Sequence, residues 1–433
     1  MSQDAWIIDA VRTPRGIGKQ GKGSIAHIHP QKVAATVLKA VQKRNNIKTE
    51  EVDDVIWGCN AQRGHQGACI GRMSVLEAGW DERAPAVTLD RFCGSGITAV
   101  NMGAASIMVG MEDCIVSGGI EMMSYVSSLA SAGGGGSNGG GGKAGSGKGG
   151  TGAGSSLMDA GNLHLRDIHP QWHQGVCADV IATLEGISRE DVDREGFESQ
   201  RKAKVAVENG HFKKSVVPVY NDDGSVALDH DEFPRPQTTL EVLAGLPAVF
   251  DKFMPMTFDD TGETFEQLVK RSYPDLKIDH VHHAGNSSGV VDGSGCVLLS
   301  SPKYAKSQGW KPRARIVAMA NMAGSPTLML NEPVPAAKKV LKKAGMTLDD
   351  IDLIEINEAF AVVSHKFKRD LDVDPEKCNV NGGAIALGHP IAATGAILIG
   401  TVLDELERRD LSTGLVTMCA GGGMAPAIII ERV

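Results

Sequence analysis

Four short stretches of this chain carry the residue types that nucleophilic and proton-transfer chemistry needs. The first is "DRFCGSG", residues 90–96, in which Cys93 stands between a short apolar run and two glycines. The pattern around it is a strand, a tight turn, then an apolar helix of small residues. A cysteine at a helix N-terminus feels the positive end of the dipole, and that favours thiolate, the nucleophilic form. The glycines permit a sharp turn and the close approach of a substrate. A small core cysteine fits the same turn.

The second stretch is "NVNGGAIALGHPIAATGA", residues 379–396, where His389 lies between Gly388 and Pro390. Pro390 suits a first helical turn, so His389 is also expected at the entrance to a helix. The third is "VTMCAGGGMAPA", in which Cys419 precedes three glycines able to present backbone N–H groups to an oxyanion. The fourth is "EINEAFA", with Asn357 at the end of a strand-like run. Each feature alone also fits a structural role.

The elements that must position these residues repeat along the chain. "LKAVQKRNNIKTEEVDDVIWGCN" (38–60) resembles "VLKKAGMTLDDIDLIEINEAF" (340–360), and Asp53 aligns with Asp352. "AWIIDAVRTP" parallels "ARIVAMANMAG", and "EDCIVSGGIEMMS" parallels "TGLVTMCAGGGMAP". One duplication is expected rather than a solenoid. Each half alternates strands and helices, and the strands are unbroken apolar runs, so a layered α/β fold covered on both faces follows. The two cysteines, the histidine and the asparagine are expected at corresponding places in the two halves.

Composition excludes several classes. A formal net charge of −8 argues against general nucleic-acid binding. The eight cysteines form no C-x-x-C pair, so no zinc site is expected, and free thiols in a reduced, cytoplasmic compartment are. The N-terminus lacks the apolar core of a signal peptide, no window could span a membrane, and "IIIERV" is not a peroxisomal tripeptide. Between the halves, residues 133–156 include 14 glycines in 24 positions, a composition expected to behave as a flexible coil.

Taken together, "VRTPRG", "CGSG", "GGIEMMS", "AGNSSGVVDG", "NEAF", "NGGAIALGHP" and "CAGGGM" closely resemble the motifs of the thiolase family, in order and over nearly the whole chain except 127–160. The resemblance implies a duplicated five-layered α-β-α-β-α fold. Residues 1–124 and 287–311 would form the N-terminal half and 312–433 the C-terminal half, with a loop domain, 125–286, covering the coenzyme A (CoA) site. It implies reversible Claisen condensation of acetyl-CoA, or thiolysis of a 3-ketoacyl-CoA, through an acyl-cysteine. Cys93 would be the nucleophile, His389 its activator, Cys419 the proton shuttle. His389 and Asn357, through a water, would hold one oxyanion, and the backbone N–H groups of Cys93 and Gly421 the other. Ser288 would meet the pantetheine arm, and His173 would lie near the thioester. No metal or bound cofactor is implied, since CoA thioesters are substrates, and a homodimer or homotetramer is. "NEAF" and the paired cysteines separate the chain from relatives that use a histidine at Asn357 or one cysteine with two histidines.

Three departures stand near the substrate: Ala392 and Ala425-Pro426 where glycine is common, and His283 for a small residue. His282 and His283, if on a strand, would point to opposite faces. The rival reading is a non-catalytic CoA-binding or scaffold subunit, which predicts damage at Cys93, His389, Asn357 or Cys419. A third is the thiolase subunit of a β-oxidation complex.

Overall fold

The computed structural model describes residues 3–131, 158–257, 259 and 261–433. The glycine-rich stretch 133–156 lies outside the described residues.

The N-terminal half runs β1 (Trp6–Arg12), β2 (Gly16–Ile17), α1 (Pro30–Asn45), β3 (Asp54–Gly58), α2 (Ile70–Glu77), β4 (Val87–Leu89), α3 (Ser95–Met108) and β5 (Cys114–Met122). An excursion follows: α4 (Met123–Ser131), α5 (Leu163–Ile168), α6 (Gln174–Glu185), α7 (Arg189–Glu208), the small hairpin β6 (Val219–Tyr220) and β7 (Val226–Leu228), α8 (Leu240–Ala244) and α9 (Phe265–Ser272). The chain then returns through β8 (Val291–Ser300) and α10 (Pro302–Ser307). The second half is β9 (Ala314–Ala323), α11 (Pro333–Ala344), β10 (Leu353–Ile356), α12 (Ala361–Leu371), α13 (Ala384–Leu387), α14 (Thr394–Arg409), β11 (Thr413–Thr417) and β12 (Met424–Arg432).

The strands form one folded sheet in the order β10-β11-β12-β9-β1-β8-β5-β3-β4, with β2 beside β8. The halves meet at β1 and β9, which share only two residue pairs, Trp6 with Arg315 and Ile7 with Ala314. On either side of that seam the order is the same. β3 pairs parallel with β5 as β10 pairs with β11. The bridge from Ile354 to Cys378 stands where β4 stands in the first half.

The two copies keep a constant register. Asp53 Oδ2 accepts from the N–H groups of Asp113 and Cys114, and Asp352 Oδ2 from those of Ser412 and Thr413. Each pair of equivalents is 299 residues apart, as are Ser95 and Thr394, which begin α3 and α14. The aspartates thus pin the same loop-to-strand junction, the entrances to β5 and β11, by charge-assisted bonds.

Layers follow from burial. β5 and β8 are buried along their whole length, which explains their lack of apolar–polar alternation. α1 and α2 cover the outer face of the first half, and α11 and α12 that of the second. α3 and α14 lie between, each touching strands of both halves. α14 is buried on all sides from Thr394 to Leu406, as a helix of a central layer must be. The result is the five-layered α-β-α-β-α architecture.

The excursion is tied down by buried charge. Arg12 meets Asp231 through two hydrogen bonds of 2.7 and 2.8 Å, with both side chains almost wholly buried. Arg166 pairs with Asp159 and Asp259. α7 begins at a capping box in which Ser188 and Asp191 satisfy each other's backbone N–H.

Candidate active site

Cys93 sits in the turn between β4 and α3. Ser95 closes that turn: its Oγ accepts from Arg91 N (2.8 Å) and donates to Phe92 O (2.7 Å). Phe92 takes a positive φ of 51°, a left-handed conformation that a bulky residue rarely adopts. The turn presses against the loop after β11. A Cβ on Gly94 would lie 2.9 Å from Pro426 Cδ and 3.3 Å from Ala420 Cβ. A Cβ on Gly421 would lie 2.8 Å from the Phe92 ring. The small residues around the two cysteines are thus needed for these loops to touch.

Cys419 ends the extension of β11. Ala420 and Met424 exchange backbone hydrogen bonds of 2.7 and 3.2 Å across the glycine turn, where Gly422 and Gly423 adopt φ of 74° and 73°. Asn357 reaches the same place from the neighbouring strand, because its N–H donates to Thr417 O (3.2 Å).

His389 completes the group. Its N–H donates to Gly289 O (2.8 Å), its Nδ1 lies 2.6 Å from Thr394 Oγ1, and its Nε2 lies 3.4 Å from Asn357 Nδ2. Asn357 Oδ1 is buried with no protein partner. Pro390 caps a 3-10 turn, Ile391–Ala393, that precedes α14, so it does not occupy the helix's first turn as the sequence implied. The Thr394 hydroxyl spans this turn to hold the ring.

Burial sets the electrostatics. It pushes the Cys93 thiol up, with the nearby Cys419 adding to the effect, and it pushes Cys419 up to about 12. It pushes His389 down to about 3, and Arg15 adds to that. The dipole argument from sequence favoured thiolate at Cys93; in the folded chain desolvation is the larger effect. Burial therefore keeps both thiols and the imidazole in their neutral forms. This arrangement avoids an unpaired buried charge and leaves His389 free to accept a proton.

Ser288 lies one loop away. Its N–H donates to Ala359 O (3.0 Å), and Gly289 N–H to Ala384 O (3.0 Å), so "AGNSSG" is strung between the Asn357 and His389 segments. His173 stands apart from the four. It caps α6, accepting from Gly175 N at Nδ1 (3.1 Å), and its ring lies 4.5 Å from Phe253 and 5.6 Å from Phe250. Phe250 in turn meets Phe360 of "NEAF". Burial lowers His173 to about 4. His282 and His283 lie in a loop, not a strand. Each finds its own carboxylate, His282 Nδ1 on Asp179 (2.7 Å) and His283 Nε2 on Asp193 (2.8 Å). No group of three or more metal-ligating side chains occurs among the described residues.

Register corrects one expectation. The four residues come together without occupying equivalent positions in the halves. At the 299-residue offset Cys93 matches Ala392, His389 matches Asp90, Asn357 matches Gly58 and Cys419 matches Ile120. Sequence reading also passed over Thr394 and Glu358. The signal for Thr394 was a hydroxyl five residues after His389, at a helix start.

Comparison with known proteins decides the family. Residues 5–258 match the thiolase N-terminal domain and residues 310–432 the thiolase C-terminal domain. The chain belongs to the thiolase family. Among its relatives is the steroid 3-ketoacyl-CoA thiolase FadA6 of Mycobacterium tuberculosis, 37% identical over 99% of this chain and 94% of that protein. The acetyl-CoA acetyltransferase of Syntrophomonas wolfei is 36% identical over the full length of both. The crystal structure of the Bacillus anthracis acetyl-CoA acetyltransferase superposes with a TM-score of 0.81 at 32% identity, covering 100% of this chain and 99% of that one. Human mitochondrial 3-ketoacyl-CoA thiolase in complex with CoA gives 0.81 at 32% identity, over 100% and 98%. This thiolase is a CoA-dependent acyltransferase, and the scaffold reading is not favoured. Among the described residues no helix is long and apolar enough to cross a membrane.

Proposed function

We propose that this thiolase joins or cleaves 3-ketoacyl-CoA thioesters by carrying an acyl group on Cys93. The observation that carries the reading is the convergence of Cys93, Cys419, His389 and Asn357 from four separate loops. His389 takes the Cys93 proton as the sulfur attacks the thioester carbon. CoA leaves as its thiol, and acyl-Cys93 remains. The tetrahedral oxyanion is held by the N–H groups of Cys93 and Gly421. His389, neutral again once CoA has left, takes the thiol proton of Cys419, and the Cys419 thiolate then removes the α-proton of a bound acetyl-CoA. The enolate oxygen is held by His389 and by a water on Asn357 Oδ1, the buried oxygen that lacks a protein partner. Carbon–carbon bond formation expels Cys93 as its thiolate, which takes the proton back from His389, and frees the 3-ketoacyl-CoA; thiolysis reverses each step. No metal or resident cofactor enters these steps.

Ser288 is the proposed contact to the pantetheine arm, and His173 is proposed to lie near the substrate thioester. Both are linked to "NEAF", Ser288 through Ala359 and His173 through Phe250 and Phe360. We divide the chain into halves 1–124 with 287–311 and 312–433, separated by a loop domain, 125–286. The pairing of β8 with β1 and β5 supports returning it to the first half. All eight cysteines are free, which supports a reducing, cytoplasmic compartment. β4 is an open edge with Val87 exposed, whereas at the far end of the sheet Lys202 donates to the carbonyls of Pro375 and Cys378. An edge strand left open supports self-pairing into a homodimer.

The experiment is acylation by acetyl-CoA followed by peptide mass mapping, then turnover across acetoacetyl-CoA and longer 3-ketoacyl-CoA substrates. An adduct on Cys93 is expected. An adduct confined to Cys419 would reverse the assignment of the two thiols.

A further inference from the structure

Glu358 directly follows Asn357, and its carboxylate is buried. It accepts three hydrogen bonds: from Ser199 Oγ (2.6 Å), Asn379 Nδ2 (3.0 Å) and Ile385 N (3.1 Å). Ser199, on α7 of the excursion, accepts in turn from Gly383 N (3.1 Å) and Ala386 N (3.3 Å). Asn379 also closes on Ile356, accepting its N–H and donating to its C=O, both at 2.9 Å. The segment 379–386 leads straight to His389. Together these bonds tie the Asn357 segment, α7 and the segment that carries His389 to one another.

The packing leaves no slack. A Cβ on Gly383 would lie 2.3 Å from the Glu358 carboxyl carbon, and one on Gly382 would lie 2.5 Å from Ser199 O. The contact being held, Asn357 Nδ2 to His389 Nε2, is long at 3.4 Å and so is sensitive to small shifts. The duplication offers a comparison. At the 299-residue offset Glu358 corresponds to Cys59, which follows Gly58 in the first half. There the loop after the strand carries no carboxylate of its own, and buried Glu121 of β5 accepts from Asn60 N and Ala61 N instead (3.0 and 3.1 Å). Each half thus holds this loop with a buried carboxylate, but only the second supplies it from the residue beside Asn357.

We infer that Glu358 and Ser199 are a positioning pair that sets the Asn357–His389 geometry and couples helix α7 to it. This inference rests on the reading of Asn357 and His389 as the enolate's oxyanion hole. A carboxylate suits the task because three converging donors hold an acceptor-only group in one orientation, and charge-assisted bonds are the strong ones.

The test is a double-mutant cycle between Glu358→Gln and Asn357→Ala, read as exchange of the acetyl-CoA α-protons with D2O. The KM for acetyl-CoA is measured in parallel. Ser199→Ala is run in the same cycle as a milder cut, for the case in which Glu358→Gln fails to fold. Glu358→Gln or Ser199→Ala alone is expected to slow exchange about tenfold to a hundredfold while KM stays near that of the native protein. In the Asn357→Ala background the same change is expected to alter exchange by no more than about twofold, because the residue it acts through is gone. An equal loss in both backgrounds would assign the pair a merely structural role and overturn the inference. If Asn357→Ala itself left exchange unchanged, the oxyanion-hole reading would fall, and the positioning role with it.

Discussion

Gly96 of α3 and Gly395 of α14 are equivalent residues of the two halves, and they meet. A Cβ on Gly96 would lie 2.8 Å from Ala396 N, and one on Gly395 would lie 2.2 Å from Ile97 N. The two central helices thus cross at their first turns with no side chain between their backbones. Cys93 lies three residues before one glycine, and His389 six residues before the other. The close crossing is what lets loops from separate halves share one site.

That crossing predicts a cost for adding a methyl group. Gly395→Ala sets a new carbon against the α3 backbone at Ile97 N and Gly96 C and cannot relax by side-chain rotation. It is expected to destabilise the protein by at least about 1–3 kcal/mol, the usual range for overpacking. Thermal or urea unfolding measures this, and a native midpoint for Gly395→Ala would contradict the packing argument.

The two cysteines are expected to fail differently. Cys93→Ala should form no acyl adduct, and Cys93→Ser should abolish turnover, since a serine alkoxide is scarcely populated near neutral pH. Cys419→Ala should still be acylated at Cys93 yet lose condensation and α-proton exchange. If a folded Cys419→Ala protein kept substantial condensation, Cys419 would be a packing residue and His389 the only base.

Acid stability follows from two imidazoles. His389 is lowered to about 3 and His173 to about 4, both chiefly by burial. The folded protein therefore keeps both neutral while the unfolded chain protonates them below pH 6.5. The unfolded state binds more protons, so these groups make stability rise with pH between about 4 and 6.5 and fall on acidification. Proton uptake on unfolding near pH 5 is the readout, and His173→Asn should reduce it by close to one proton per chain. No change in uptake would mean that His173 is already protonated in the fold.

The buried pair Arg12–Asp231 fastens the excursion to β1. Asp231→Ala leaves a buried guanidinium without its partner and is expected to cost about 3–5 kcal/mol. The double replacement Arg12→Met with Asp231→Leu removes both charges and should recover part of that loss, the rest being held by buried Arg15, whose backbone N–H also donates to Asp231 Oδ1 (2.8 Å). Denaturant midpoints for the three proteins decide it, and a harmless Asp231→Ala would show that Arg12 finds water or another acceptor.

Much of this was legible in residue order. Unbroken apolar runs such as "CIVSGGI" marked strands covered on both faces, because burial of both faces removes alternation. Asp53 and Asp352 aligned because each pins the same loop-to-strand junction through its own carboxylate, a local requirement that local sequence records. Cys93, His389, Asn357 and Cys419 stood out because small residues and glycines surround them, and those glycines are what close loop contact demands.

Other facts belong to the tertiary structure alone. That Cys93 matches Ala392, and not another reactive residue, depends on register across a sheet. The neutral resting state of the site arises from desolvation by chain segments hundreds of residues away, which outweighs the helix dipole visible locally. Ser199 belongs to a helix whose sequence shows only an amphipathic surface, yet folding sets its hydroxyl on Glu358 and on the His389 segment. Residue types and spacing determined which chemistry this chain could perform. Distances and protonation states are properties of packed neighbours, and packing exists only once the chain has folded.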